Sequence, residues 1–472
     1  MEGRREGTGG EAREAAGNPA DNETYNCPVD GSPYEAVKVA STEWAEGERS
    51  QATMKCGGAY RAMKRVADIV PYGGLLSNAF NLASATLGAG IVALPSGFRD
   101  SGIVVASLLL ALCCACTVYS IRLLVLAKEK TGFRSYEEMA QGLFMRGVDY
   151  FVALLMFVFC FGTCVGYVIS IGDLFFPILE SKTTPEFFRT SHGKSLLISG
   201  VWLLGMFSLS LPKEINSLRY ASVIGVACLI FFVICMVMHA ANNGLKEGMS
   251  SDLSLYGNGT KALNGLSLLI FAFICQVNCF EVYEEMQDPS PNRMTRDTTL
   301  SMVFVGLLYF FAGFFGYADF GNAVAGSVLR LYDPKNDVLM VISYVGIAFK
   351  LCGGFALCIQ PSRDAIYYVL GWGKTSDVST RRNLLVSGFL ALAALILGLF
   401  IPSITVVFGF LGGVCGGFLA FLFPAFFHMY SGNWSLKEVG WANFIATYLL
   451  IILGVFAVVF CTVLTIYGEA HG

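Results

Sequence analysis

From about residue 73 onward, long apolar stretches alternate with short polar ones. Eleven stretches are long enough to cross a bilayer, for which about 20 apolar residues suffice. Their approximate limits are 73–98, 102–127, 149–176, 195–212, 218–240, 262–286, 298–320, 338–360, 383–401, 403–428 and 443–467. The pattern predicts an all-α polytopic membrane protein with eleven transmembrane helices, named spans 1 to 11 here.

The segment before span 1 is polar and contains few aliphatic residues, so we expect a disordered tail over residues 1–70 and a transmembrane domain over 71–468. The tail lacks the apolar core that a cleavable signal peptide needs. Its end is basic, and the loops on the same side carry more Lys and Arg than the opposite loops. We therefore expect a cytoplasmic N-terminus and an outside C-terminus. Asn258-Gly-Thr then lies outside, where glycosylation can occur.

Span 1 is interrupted by polar residues and glycines. The stretch Asn78–Pro95 carries Ser84 and Thr86 and is cut by Gly88 and Gly90. A helix broken within a membrane exposes backbone groups, which is tolerated only where the break is buried or lines a watery cavity. There, half-helix dipoles and free backbone groups bind zwitterions or ions. The alternative is a Gly-Ala-Gly face for close helix packing.

The centre of span 6 places Gln276, Asn278 and Glu281 in an apolar helix. Polar groups at this depth are costly and usually functional. Spans 1 and 6 begin two five-span halves, and interruptions at matched positions indicate a site built from inverted repeats. No glycine interrupts span 6, and interhelical hydrogen bonding is the alternative role of its two amides. Glu281 either snorkels toward Glu284 and Glu285 at the inner end or faces inward to pair with a cationic substrate or a proton.

Lys350 is a charged residue within span 8. It lies about 11 residues from Pro361, which the sequence places at the inner end, and this separation is roughly 16 Å. A lysine this deep must pair, lose its proton or line water. It is therefore either part of a buried structural ion pair or a fixed or titratable positive charge where a coupling cation would otherwise sit.

The composition excludes a soluble globule, since 55% of the residues are hydrophobic and 14% are charged. The chain has four histidines and lacks HExxH, GxSxG and Walker-type motifs, so we expect neither an enzyme nor a metal or cofactor site. Most of the 15 cysteines lie inside apolar spans, where they pack as small residues. Membrane lipids are the expected surroundings, and nucleic acid is not an expected partner.

Span 10 is rich in glycine. Overlapping GxxxG patterns indicate close helix packing on one helical face rather than chemistry. The glycines are Gly409, Gly412, Gly413, Gly416 and Gly417.

Three stretches resemble signatures of the amino acid/auxin permease family. Phe80–Pro95 is similar to its first helix, Phe273–Ser290 to its sixth helix and following loop, and Ile359–Arg363 to the Pro-x-Arg end of its eighth helix. The resemblance covers about residues 70–467, and the sequence as a whole looks most like the amino-acid permeases of kinetoplastid protozoa. It implies a LeuT-like five-plus-five inverted repeat plus one helix, which transports amino acids by alternating access.

The resemblance also implies a substrate between spans 1 and 6. The α-carboxylate would contact the backbone of Leu87 to Ile91, and the amino group would face carbonyls of span 1 and of Ile274 to Asn278. The predicted substrate-binding residues are Ser84, Thr86, Leu87, Gly88, Ala89, Gly90, Ile91, Ile274, Gln276, Asn278 and Glu281, with Lys350 for coupling.

Three positions depart from the family pattern. The sodium-coupled members carry an Asn where this chain has Ser84, and Lys350 lies near where span 8 helps bind sodium in this fold. We therefore predict sodium-independent transport that is proton-coupled or driven by the membrane potential. Glu281 replaces a residue that is usually proline in relatives, which favours cationic substrates such as arginine and lysine over neutral ones.

A second hypothesis is an amino-acid sensor that uses the same fold and signals through the N-terminal tail. The absence of catalytic motifs argues against a membrane enzyme. The plasma membrane is the expected location, and an acidic organelle is the alternative.

Overall fold

A computed structural model describes residues 74–180, 184–212, 218–246, 253–257, 259–324, 326–335, 337–373, 375, 377–432 and 434–471. All the regular structure within these ranges is helical. The predicted disordered tail and the Asn258 sequon lie outside the described residues and stay predictions.

The described helices confirm an all-α polytopic membrane protein. Ten helices are long and apolar enough to cross a membrane, and a bent pair makes eleven if it counts as one span. Span 1 comprises Leu75–Thr86 and Gly90–Ser101. Spans 2 to 11 are Ile103–Thr131, Val148–Leu179, Ser191–Ser210, Leu218–Asn242, Lys261–Glu285, Pro291–Ala323, Val338–Leu370, Thr380–Phe400, Ile404–Tyr430 and Trp441–Gly468. Short helices in the connections are Tyr136–Leu143, Glu186–Arg189 and Leu436–Val439.

Span 1 is broken, as its glycines predict. The axes of its two halves differ by 67°. Leu87, which follows the first half, adopts an extended conformation with φ −72° and ψ 93°. The chain becomes helical again at Gly90. The alternative of an unbroken helix with a small-residue packing face is therefore excluded.

Span 6 is broken as well, although it contains no glycine at the break. An α-helix over Thr260–Ala272 is followed by a 3₁₀ turn over Gln276–Asn278 and a second helix over Cys279–Glu285. The first spans of the two five-span halves are thus interrupted at matched positions. This is the arrangement that an inverted-repeat transporter fold predicts.

Span 8 differs from the sequence-based prediction. Its helix covers Val338–Leu370 and contains Pro361, so the helix does not end near residue 360, where the sequence places the end of this span. Proline removes one helical hydrogen bond but does not always end a helix when tertiary contacts hold the next turn. Here the next turn carries Arg363, which is 1% exposed and donates to Asp364 and Thr375.

The spans that contain the breaks are closely packed. A Cβ at Gly97 would lie 3.8 Å from the Cα of Gly265, so spans 1 and 6 approach with little between their backbones. Span 7 lies along both halves of span 1 and contacts spans 2 and 5. Span 8 packs between spans 3 and 5. Side chains from spans 3, 7 and 8 can therefore reach the breaks.

The glycines of span 10 serve packing on two faces rather than one. The helix is π-helical over Leu411–Leu422, which changes the direction of successive side chains. A Cβ at Gly412 would collide with the carbonyl oxygen of Ser267 in span 6. A Cβ at Gly417 would lie 2.9 Å from the carbonyl oxygen of Gly454 in span 11.

Candidate functional site

The two helix breaks lie side by side. A Cβ at Gly90 would lie 3.4 Å from the Cα of Ala272, where the first half of span 6 ends. The first amides of a helix have no intrahelical acceptor and carry partial positive charge. Gly90 begins the second half of span 1. The amides of the next two residues already donate to the carbonyl oxygens of Gly88 and Ala89, over 3.5 and 3.3 Å. The start of this half-helix therefore presents the Gly90 amide and partial positive charge next to the end of a helix in span 6.

Tyr309 of span 7 bridges the two breaks. Its hydroxyl lies 2.7 Å from the carbonyl oxygen of Thr86 and 3.0 Å from that of Ala272, and the residue is fully buried. These carbonyls belong to the last residues of the first halves of spans 1 and 6. One hydroxyl proton, shared between two acceptors, thus ties both helix ends to span 7. Sequence reasoning missed this residue, whose only signal is a hydroxyl in an apolar span.

Tyr167 of span 3 occupies the space beside the break in span 1. A Cβ at Gly88 would lie 3.1 Å from the Tyr167 hydroxyl oxygen. A Cβ at Gly354 in span 8 would lie 2.7 Å from the same atom. Spans 1, 3 and 8 therefore meet at this hydroxyl, and the two glycines leave the room for it. Tyr167 was also missed by sequence reasoning.

Lys350 points at the break in span 1. It is 6% exposed, and its Nζ donates to the carbonyl oxygen of Ser84 over 3.3 Å. Its aliphatic stem lies on Gly225 of span 5, where a Cβ would be 2.6 Å from the lysine Cδ. No carboxylate of the described residues pairs with Lys350. Its observed partner is instead a carbonyl in the last turn of a helix, where the helix dipole places partial negative charge.

The predicted site residues fall into three groups. The fully enclosed ones are Thr86, Leu87, Ala89, Gly90, Ile91, Ile274 and Gln276. Ser84, Gly88 and Asn278 are partly accessible, and Glu281 is exposed. The breaks thus bring the predicted residues of spans 1 and 6 together, but with different access.

Two of the predicted polar side chains support the backbone of the breaks. The Thr86 hydroxyl donates to the carbonyl oxygen of Leu82, one turn earlier in the same helix. The Gln276 side-chain oxygen accepts from the backbone N–H of Cys275 over 3.0 Å. Among the described residues, the Gln276 side-chain nitrogen has no partner. Both residues therefore shape the breaks, and only the nitrogen of Gln276 remains open to a ligand.

Glu281 lies in an acidic region at the C-terminal end of span 6. The carboxylates that influence it electrostatically are Glu285, Asp364 and Glu284. No residue that the structure describes forms a hydrogen bond or an ion pair with Glu281. Asn81, on the first half of span 1, donates to Glu285 over 3.4 Å. The acidic region thus lies along the first half of span 1, on the N-terminal side of the break.

Burial differs between the two sides of the breaks. Every residue from Ala89 to Phe98 is buried, whereas Ala85 is exposed and its neighbour Ser84 is partly accessible. On the buried side, the rings of Phe271 and Phe408 stack with their centroids 4.1 Å apart. The site is therefore closed toward the second half of span 1 and open toward the first half.

The chain is similar to known membrane transporters over most of its length. The family described as "Transmembrane amino acid transporter protein" matches residues 72–467. The rat (Rattus norvegicus) protein "Solute carrier family 38 member 10" is 25% identical over 358 residues, which cover 73% of this chain and 32% of that protein. The chain thus spans about a third of the length of this relative.

Two further relatives are covered over most of their length. "Vacuolar amino acid transporter 6" of Saccharomyces cerevisiae is 26% identical over 310 residues, which cover 64% of this chain and 68% of that protein. "Sodium-coupled neutral amino acid symporter 2" of Danio rerio is 23% identical over 415 residues, which cover 80% and 81%. The names are those of transporters, in agreement with the prediction that the chain is not an enzyme. The likeness to kinetoplastid permeases stays a prediction.

Proposed function

The chain belongs to the transmembrane amino acid transporter family, and from this premise we propose that it transports an amino acid by alternating access without sodium. The observation that carries the proposal is the buried Lys350 ammonium on the Ser84 carbonyl. Helix-end carbonyls in broken spans are the groups that coordinate coupling cations in such transporters. Here one of them already has a cation, which belongs to the protein.

A sodium ion at the same place would meet two obstacles. It would compete for the Ser84 carbonyl oxygen, and it would lie close to an ammonium in surroundings that screen charge weakly. Two charges of the same sign repel each other more strongly in a buried site than in water. The driving force in this proposal is a proton gradient or the membrane potential. The zebrafish relative is named as sodium-coupled, so the proposal gives this chain a different driving force from the one in that name.

The two breaks fit a zwitterionic substrate. The Gly90 amide and the positive end of the helix that it begins are suited to an α-carboxylate, and the carbonyls of the facing helix ends are suited to an α-ammonium. Gly88 leaves room beside the Tyr167 hydroxyl, and Asn278 is accessible from the open side. We propose that the substrate lies between these groups, with its side chain directed toward span 6.

A cationic side chain is favoured over a neutral one in this proposal. The carboxylates of Glu281, Glu284 and Glu285 concentrate negative charge on the open side of the breaks. Such a field raises the local concentration of cations and steers them into the site. We therefore propose arginine and lysine as preferred substrates.

The membrane and the orientation are proposals from sequence. The basic flank of span 1 favours a cytoplasmic N-terminus, with the C-terminus outside. The plasma membrane remains the proposed location, and the name of the yeast relative supports an acidic organelle as the alternative. Imaging of a fluorescent fusion beside markers of both membranes separates them.

Uptake into proteoliposomes that contain the purified full chain tests the proposed function. Labelled arginine, lysine and alanine are compared in sodium and in choline, with the outside pH and a potassium diffusion potential varied independently. We expect arginine and lysine uptake to persist in choline, and empty vesicles give the background. Loss of uptake in choline would overturn sodium independence, and uptake of alanine alone would overturn the cationic preference. Binding without any uptake would favour the sensor.

A further inference from the structure

A groove lies between spans 2 and 7. Its volume is about 590 Å³. Apolar side chains form almost all of its surface, and it is open along one side. The lining includes Leu110, Ala115 and Arg122 of span 2 and Thr295, Gly306 and Phe310 of span 7.

Arg122 is the single charged residue of this lining. It forms no ion pair or hydrogen bond with any residue that the structure describes. Span 2 ends at Thr131, nine residues later, which corresponds to roughly 14 Å of helix. A helix of 29 residues is longer than a ~30 Å hydrocarbon layer, so Arg122 lies near its boundary, where an arginine side chain reaches the headgroups.

The other polar groups of the groove are occupied. The hydroxyl of Thr295 donates to the carbonyl oxygen of Pro291, and that of Thr299 donates to the carbonyl oxygen of Thr295, both over 2.7 Å. The Tyr119 hydroxyl is turned to span 11, where it lies 2.8 Å from Thr447. The guanidinium of Arg122 is therefore the polar group left to anchor an occupant.

We propose that this groove binds one anionic glycerophospholipid from the leaflet on the inner side, with its phosphate on Arg122 and an acyl chain along the groove. From Arg122 to Leu110 the groove follows span 2 for roughly 18 Å, which suits an extended hydrocarbon chain. An unpaired arginine beside hydrocarbon is costly, and a phosphate forms strong charge-assisted hydrogen bonds with a guanidinium. Basic residues at this level attract anionic lipids.

The groove is connected to the transport site through span 7. Gly306 and Phe310 line the groove, and Tyr309, which follows Gly306 by one helical turn, bonds to both breaks. A bound lipid therefore supports the segment of span 7 that holds both breaks. This consequence rests on the proposed transport function, whereas lipid binding itself does not.

Lipid retention by the purified full chain tests the proposal. The detergent-solubilised protein is incubated with phosphatidylglycerol or phosphatidylcholine, and bound lipid is measured by native mass spectrometry. The variants are Arg122→Ala and Ala115→Phe, which places a large side chain in the groove at an exposed position. The control is Arg146→Ala, which removes an exposed arginine near the inner end of span 3. Thermal unfolding identifies any variant that is misfolded.

We expect the wild-type chain to retain phosphatidylglycerol in preference to phosphatidylcholine. Arg122→Ala should weaken this retention by about fivefold, the contribution of one basic residue beside an anionic headgroup. Ala115→Phe should reduce the retention of both lipids, and Arg146→Ala should leave it unchanged. Equal retention by Arg122→Ala and the wild type overturns the proposal. So does a wild-type dimer that Ala115→Phe separates without lipid loss, since the groove would then be a protein interface. Uptake is measured separately, so failure of transport leaves the lipid result interpretable.

Discussion

The Nζ of Lys350 lies 3.3 Å from the carbonyl oxygen of Ser84, and the two residues are 266 positions apart in the sequence. The contact joins span 8 to the last turn of the first half of span 1. A buried ammonium is stabilised there by the negative end of a helix rather than by a carboxylate. Movement of that half-helix would therefore change the surroundings of Lys350. The contact thus couples the position of the first half of span 1 to the environment of the Lys350 charge.

Replacing Lys350 by Ala tests whether its charge takes part in coupling. We expect a folded protein whose uptake falls by about tenfold, which corresponds to ~1.4 kcal/mol, with an altered pH dependence. The physical reason is that the Ser84 carbonyl loses its cation. Uptake is measured in proteoliposomes over a range of pH, with Lys261→Ala, an exposed lysine, as the control. Wild-type pH-dependent uptake by Lys350→Ala would refute the role in coupling.

Gly225→Ala tests the same contact without removing the charge. A Cβ at this position would lie 2.6 Å from the Cδ of Lys350, so the flexible side chain must shift, which disturbs its contact with Ser84. We expect uptake to fall, as it does in the prediction for Lys350→Ala, while the protein stays folded. The control is Gly200→Ala, because no atom lies within 4 Å of a Cβ there. Equal uptake by both glycine variants would show that the position of the lysine does not matter.

Tyr309→Phe removes the hydroxyl that bridges the two breaks and keeps the ring. The carbonyls of Thr86 and Ala272 then lose a shared donor, and an unsatisfied buried polar group costs about 1–3 kcal/mol. We expect a lower melting temperature together with a higher KM for uptake. Tyr317→Phe is the matched control, because this buried tyrosine of the same span accepts from the Ser254 amide instead. If the two variants raise KM equally, the bridge has no special role in substrate binding.

Gly88→Ala tests the space beside the break in span 1. Its Cβ would lie 3.1 Å from the Tyr167 hydroxyl oxygen, and no other atom outside its chain neighbours lies within 4 Å. We expect a higher KM for uptake, and partial recovery in the double variant Gly88→Ala/Tyr167→Phe because the crowding atom is gone. A double-mutant cycle of KM values measures the coupling. Additive effects of the two changes would mean that the residues act independently.

The sequence predicts the helix break in span 1 more clearly than the helix break in span 6. Gly88 and Gly90 predict the break in span 1 because glycine weakens a helix wherever it occurs. The break in span 6 has no such marker, since Gln276 stabilises it by bonding to the adjacent amide of Cys275. Pro361 marks the opposite error, because packing around Arg363 keeps a helix intact where the local sequence indicates an end.

By itself, the sequence determined the eleven spans, the interruption of span 1 and the presence of a lysine deep in span 8. These features follow from local composition, since a helix in hydrocarbon must be mostly apolar and glycine weakens it. Only the tertiary structure decided that Tyr309 and Tyr167 belong to the site and that Lys350 points at span 1. Such choices depend on which helices become neighbours, as for Tyr309 and Thr86, which are 223 positions apart. Helix packing sets those neighbours, and no local pattern encodes them.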